Sequence, residues 1–175
     1  MREVSHTARR RPRPTPAPRA KALQLAQRRL QRAGLYYGHG TAEARDDAAA
    51  LMAHALRLRR PLEQRDLAGA WSRAAAGRFE ALLQRRIRER IPAVYLTNRC
   101  WYAGMALYVD ERVLIPRSAI AELIEARFMP WVDPDAVRHI ADLGTGSGCI
   151  ALGAALAFPR ARVDAVDIDS DALAV

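Results

Sequence analysis

The sequence predicts an α/β protein: a helical bundle, a β-hairpin, and the first part of a doubly wound parallel sheet. Three observations predict it. Apolar residues recur at steps of three and four between Lys21 and Arg90. Aromatic and β-branched residues gather around turn signals between Ala93 and Ile115. From Arg138 onward the pattern runs strand, glycine loop, helix, strand.

Length and charge set the frame. A chain of 175 residues suits one domain or two small ones, and half of its residues are apolar, enough to build a core. Residues 1–100 carry 22 basic and 8 acidic side chains, whereas residues 101–175 carry 6 and 11. This asymmetry points to two modules with different partners, the basic one suited to an anionic surface such as RNA. The blander reading is a solvated arginine-rich helical face. Two cysteines and four scattered histidines form no metal-ligand spacing and no disulfide framework, so no metal is expected. No stretch approaches the roughly 20 apolar residues of a membrane span. The leader lacks the apolar core of a secretory signal, and a cytoplasmic protein is expected. The alternative for an arginine-rich, acid-poor leader is a mitochondrial transit segment.

The elements follow in order. Residues 1–20 form a basic tail whose stretch "RRRPRPTPAPR" (Arg9–Arg19) alternates proline, which removes backbone donors, and so is expected to be disordered. A neutral extension is preferred there over a tether for RNA. Residues 21–92 form the bundle. Its first helix buries Leu23, Ala26, Leu30 and Ala33 and stops at Gly34. Thr41 is the N-cap candidate of the second, with Glu43 and Asp46 near its positive end. A short third helix lies around Leu62–Ala70. A fourth starts at Ser72, buries Phe79, Leu82, Leu83 and Ile87, and must end before Pro92. Trp71 and Phe79 are expected in the core, and His54 is an ordinary helix residue.

Residues 93–116 read as a β-hairpin linker with Asn98 and Gly104 as turns. Residues 117–175 begin with a helix capped by Ser118, burying Ala121, Leu123, Ile124 and Phe128. Then come a strand at His139–Leu143, a helix from Gly148 to Phe158 and a strand at Arg162–Ile168.

The loop "ADLGTGSGCIAL" carries the chemistry. Gly144, Gly146 and Gly148 let the backbone turn and approach a ligand, and the next helix offers free N–H groups. Two ligands suit such a loop, S-adenosylmethionine and a dinucleotide. The spacing Gly146-x-Gly148-x-x-Ala151, with Asp167 about 20 residues on, fits the dinucleotide pattern. Asp142 argues against it. A carboxylate about 5 Å from a pyrophosphate is repelled by roughly 3 kcal/mol at an effective dielectric of 20. A sulfonium and an α-ammonium are attracted instead, so S-adenosylmethionine is the preferred ligand.

The stretches "DLGTGSGCIAL", "AVDIDSDALAV" and "VLIPRS" resemble the glutamine amide methyltransferases that modify translation proteins. The resemblance covers about residues 45–175. It implies a class I, Rossmann-like methyltransferase domain behind an N-terminal helical domain and hairpin. It implies S-adenosylmethionine held by Asp142, Gly144, Thr145, Gly146, Ser147, Gly148 and Asp167, with Asp167 on the ribose hydroxyls and Arg117 helping to close the site. Two branches of the family differ after "IPR". Here Ser118-Ala119-Ile120 follows, similar to the branch that modifies the third large-subunit ribosomal protein rather than the release-factor branch. The implied partner is that ribosomal protein. One departure stands out. The family's Asn-Pro-Pro-Tyr amide grip is absent, so no catalytic residue is assigned, and the sequence reads as one that stops short of it. On this reading the 175 residues alone are expected to be inactive. The alternatives are a release-factor glutamine methyltransferase, a non-catalytic remnant that binds the ribosome or RNA, and a dinucleotide enzyme.

Overall fold

A computed structural model describes residues 16–38 and 40–175. Most of the expected tail lies outside the described residues. Its boundary moves, because helix α1 spans Arg19–Arg32 and claims the last two tail positions. Pro18 precedes it directly, which is tolerated because the first turn needs no donor there. The Arg19 guanidinium donates to the carbonyls of Asp66 and Ala70 at 3.0 and 2.9 Å, pinning the helix start.

Helix α2 spans Ala44–Ala55, and here the expected cap is corrected. Glu43 is the N-cap, and Asp46 accepts the amides of Ala42 and Glu43 at 3.0 and 3.2 Å. Thr41 instead donates its hydroxyl to Asp47 at 2.6 Å. The expected third helix is a 3-10 turn at Gln64–Leu67. Helix α3 spans Arg73–Arg88, capped as expected by Ser72, which accepts the Ala75 amide at 3.1 Å. The three helices bury Leu23, Leu30, Leu51, Met52, Phe79 and Leu83 in one core, with the Trp71 ring 5.3 Å from Phe79. Asp47 and Arg86 lie inside it as an ion pair at 2.6 Å.

The linker starts differently from expectation. Ala93–Thr97 is a helical turn, α4, not strand. Pro92 sets its first turn, the Thr97 hydroxyl donates back to the Ala93 carbonyl at 2.9 Å, and Val94 and Leu96 are both buried. Tertiary burial overrides the β-leaning composition. Asn98 closes the turn in the left-handed region. The hairpin follows as expected: β1, Cys100–Tyr102, pairs antiparallel with β2, Met105–Leu107. Its turn places Ala103 and Gly104 at φ 45° and 74°.

An extended segment then buries Val109, Val113 and Ile115 around Cys100. Gly40 sits against it: a Cβ there would lie 2.8 Å from Val94 and 3.1 Å from Ile115. Helix α5, Ile120–Glu125, is shorter than expected. Its N-cap is Ala119 rather than the expected Ser118, whose hydroxyl accepts the Ile120 amide. Ile124 is buried while Ala121, Leu123 and Phe128 are only half-buried, and the helix closes where Arg127 and Phe128 turn to positive φ. Strand β3, His139–Leu143, pairs in parallel with β4, Arg162–Val166, across helix α6, Cys149–Ala157. Helix α7, Ser170–Leu173, completes the order. No helix among the described residues is long and apolar enough to cross a membrane.

Candidate functional site

The site forms where β3, α6 and β4 meet. At the end of β3 the chain passes through Gly144, Gly146 and Gly148 at φ 74°, 54° and 73°, values that L-residues with a side chain rarely adopt. A Cβ on Gly144 or Gly146 would find no atom within 4 Å, so the loop borders open space. The amides of Gly144 and Thr145 donate to the Val166 carbonyl at 2.8 and 3.0 Å, tying the loop to the end of β4.

Two carboxylates frame the loop. Asp142 Oδ2 accepts the buried Thr145 hydroxyl at 2.6 Å and the Ala151 amide at 3.1 Å. The second bond satisfies an orphan donor in the first turn of α6. Asp167 stands just past β4. Its Oδ1 accepts the Asp169 amide at 3.0 Å and its Oδ2 the Gly146 amide at 2.7 Å. These backbone bonds, that from Asp169 first, hold the Asp167 carboxyl below the usual carboxylate range. The carboxylate still has acceptor capacity left over. Among the described residues no arginine pairs with Asp142 or Asp167.

The structure thus brings Asp142, Gly144, Thr145, Gly146, Ser147, Gly148 and Asp167 together. Arg117 is not joined to them: it is exposed before α5, and no hydrogen bond or ion pair among the described residues holds it. The sequence reading missed how the hairpin reaches this site. Tyr102 is buried beside Cys149 at the start of α6. Met105 and Ile124 approach the Cβ position of Gly153, at 3.6 and 3.3 Å. A glycine inside a helix was the available signal for that close approach.

No family model matches the chain. Curated proteins do. One from Burkholderia pseudomallei is 47% identical over 151 residues, covering 84% of this chain and 48% of that protein. One from Xanthomonas campestris is 46% identical over 152 residues, covering 84% and 48%. One from Neisseria meningitidis is 44% identical over 154 residues, covering 87% and 51%. Each is named ribosomal protein uL3 glutamine methyltransferase. The chain is a homologue of these methyltransferases. It spans about half the length of the curated relatives it matches.

Proposed function

We propose that the protein methylates a glutamine side-chain amide of ribosomal protein uL3 with S-adenosylmethionine as donor, in the cytoplasm where ribosomal proteins are made. The observation that carries this reading is the pair of unpaired carboxylates, Asp142 and Asp167, on either side of an open glycine loop. A dinucleotide would set its pyrophosphate against Asp142 and be repelled. The cationic methionine end of S-adenosylmethionine is attracted by the same group. The remaining acceptor capacity of the Asp167 carboxylate suits a ribose hydroxyl. Gly144, Gly146 and Gly148 would leave room for the ligand, and Thr145 would keep Asp142 oriented. Ser147 would line the loop beside them, and Arg117 would close over the site. The bound sulfonium would supply the electrophilic methyl group. The chain's own contribution is orientation and charge.

The helices of residues 21–92 and the linker of residues 93–116 are assigned to recognition of the protein substrate, and residues 117–175 to the donor site. Arg28, Arg32 and Arg88 are exposed without a carboxylate partner among the described residues, which supports an additional contact with ribosomal RNA.

Calorimetry tests the ligand. S-adenosylhomocysteine should bind and NAD should not, and Asp167→Asn should weaken binding about tenfold or more. Measurable NAD binding without S-adenosylhomocysteine binding overturns the reading. In a chain extended to the length of its relatives, uL3 should accept radiolabelled methyl in preference to a release factor. The reverse preference would assign the release-factor branch.

A further inference from the structure

A cavity of about 280 Å3 lies between the helical bundle and the hairpin, away from the glycine loop. Its floor is Ala49, Ala50 and Ala53 on one side of α2, completed by Leu62 and Val94. The exposed indole of Trp101 forms a wall. Larger side chains fill the core on the other side of α2, Leu51 and Met52 among them, whereas its cavity side carries three alanines between Asp46 and His54. At about 30 Å3 per molecule the space holds roughly nine waters. Those over the alanine floor find few partners, so an apolar group that displaces them gains affinity.

The polar groups of the lining are mostly occupied. Arg60 is bonded bidentately to Asp66 at 2.7 and 2.8 Å. Asp46 accepts two backbone amides. Arg99 differs: it donates to the Leu58 carbonyl at 2.6 Å, and among the described residues it meets no carboxylate. Arg78 of α3, outside the lining, also bonds only a carbonyl, that of Ala55 at the end of α2, at 2.7 and 3.2 Å. The lining therefore holds one charge of each sign, Asp46 bonded to backbone amides and Arg99 to a backbone carbonyl, and Arg99 keeps donors free for a carboxylate.

We propose that this cavity is a docking pocket for an extended segment of the protein substrate, one large apolar side chain seated on the Ala49–Ala50–Ala53 floor and a carboxylate of the same segment on Arg99. The inference rests on the protein-substrate reading above. A polynucleotide suits the pocket less well. It needs a track of cations and successive stacking faces. The lining offers one arginine without a carboxylate partner among the described residues, and one indole.

Titration calorimetry of this chain with purified uL3, at low and moderate salt, tests it. Ala50→Leu, which fills the floor and favours helix, should weaken binding about tenfold or more. Arg99→Gln should weaken it several-fold and flatten its salt dependence, and Arg99→Lys should recover part of the loss. Arg138→Gln, exposed just before β3, should bind as the parent does. Circular dichroism melts of each variant check that the fold is kept. If Ala50→Leu and Arg99→Gln bind uL3 like the parent, the pocket assignment is overturned and the substrate reading stands. If the parent does not bind uL3, the substrate reading fails and the assignment falls with it. If a single-stranded RNA 12-mer binds the parent and is lost in Ala50→Leu while uL3 binding is unchanged, the pocket belongs to nucleic acid and the proposal is wrong.

Discussion

Asp47 carries a full charge where no solvent reaches it, and Arg86 is almost as deeply buried. Their contact at 2.6 Å is one bond of several. Thr41 donates to the second oxygen of Asp47, and Arg86 donates onward to the carbonyls of Tyr36 and Arg90 at 3.0 and 3.2 Å. The Arg86 guanidinium also stacks 5.8 Å from the Tyr37 ring centroid. The network fastens the loop before α2 to the end of α3. Removing one partner strands the other charge, so Asp47→Ala should cost about 3–5 kcal/mol in urea unfolding followed by circular dichroism. Asp47→Leu combined with Arg86→Met should recover most of that loss, since the isolated charge is then gone. The sequence pointed to Asp46 for its place near a helix start. Nothing local marks Asp47, whose partner lies 39 residues away.

At the scale of one element, the C-terminal end of α2 gathers three basic side chains, His54, Arg78 and Arg99. A protonated histidine in the last turn normally gains from the helix dipole. Here Arg78 and Arg99 already occupy the carbonyls of Ala55 and Leu58. Desolvation first, then Arg99 and Arg78, lower the His54 pKa below 6.5, outweighing its bond to the Thr97 backbone. The unfolded chain therefore binds this proton at higher pH than the folded chain does. Stability contributed by neutral His54 is present above pH 6.5 and is lost as pH falls toward the lower folded value. Denaturation at pH 5 and pH 7.5 should show a larger drop on acidification for the parent than for His54→Gln. An equal drop in both would remove His54 from the account. Helix α4 makes the companion point. Its residues look like strand, yet Pro92 and burial of Val94 and Leu96 make a helical turn of them. The hairpin needed no such override, because Gly104 sits at the turn itself.

Across the whole molecule the two halves are finished to different degrees. The bundle encloses its apolar residues. The parallel pair leaves Leu143 77% exposed, its register partner Val166 50% exposed, and Ile168 fully exposed. Strands of this apolar character are usually covered on both faces. Left open they offer a surface for association. The 175-residue chain should therefore self-associate at micromolar concentration, and Leu143→Lys with Ile168→Lys should lower its sedimentation-average mass. Hydrogen exchange should protect α1, α2 and α3 more strongly than β3 and β4. Equal protection, or an unchanged mass in the lysine variant, would show that the open face is not what drives association.

Much of this was legible in the chain because it is local. Three alternate glycines require left-handed backbone, helices announce themselves by period and by Ser72 or Pro92 at their ends, and the acids Asp142 and Asp167 sit at fixed offsets from the loop. Steric and short-range forces act over a few residues, and the sequence lays those residues side by side. The Asp47–Arg86 pair, the hairpin seated on the start of α6, and the alanine-floored cavity were decided only by tertiary structure. Each joins groups far apart in sequence. Whether a charge is stranded or paired, and whether an alanine face is packed or left open, depends on which distant surface folding brings against it.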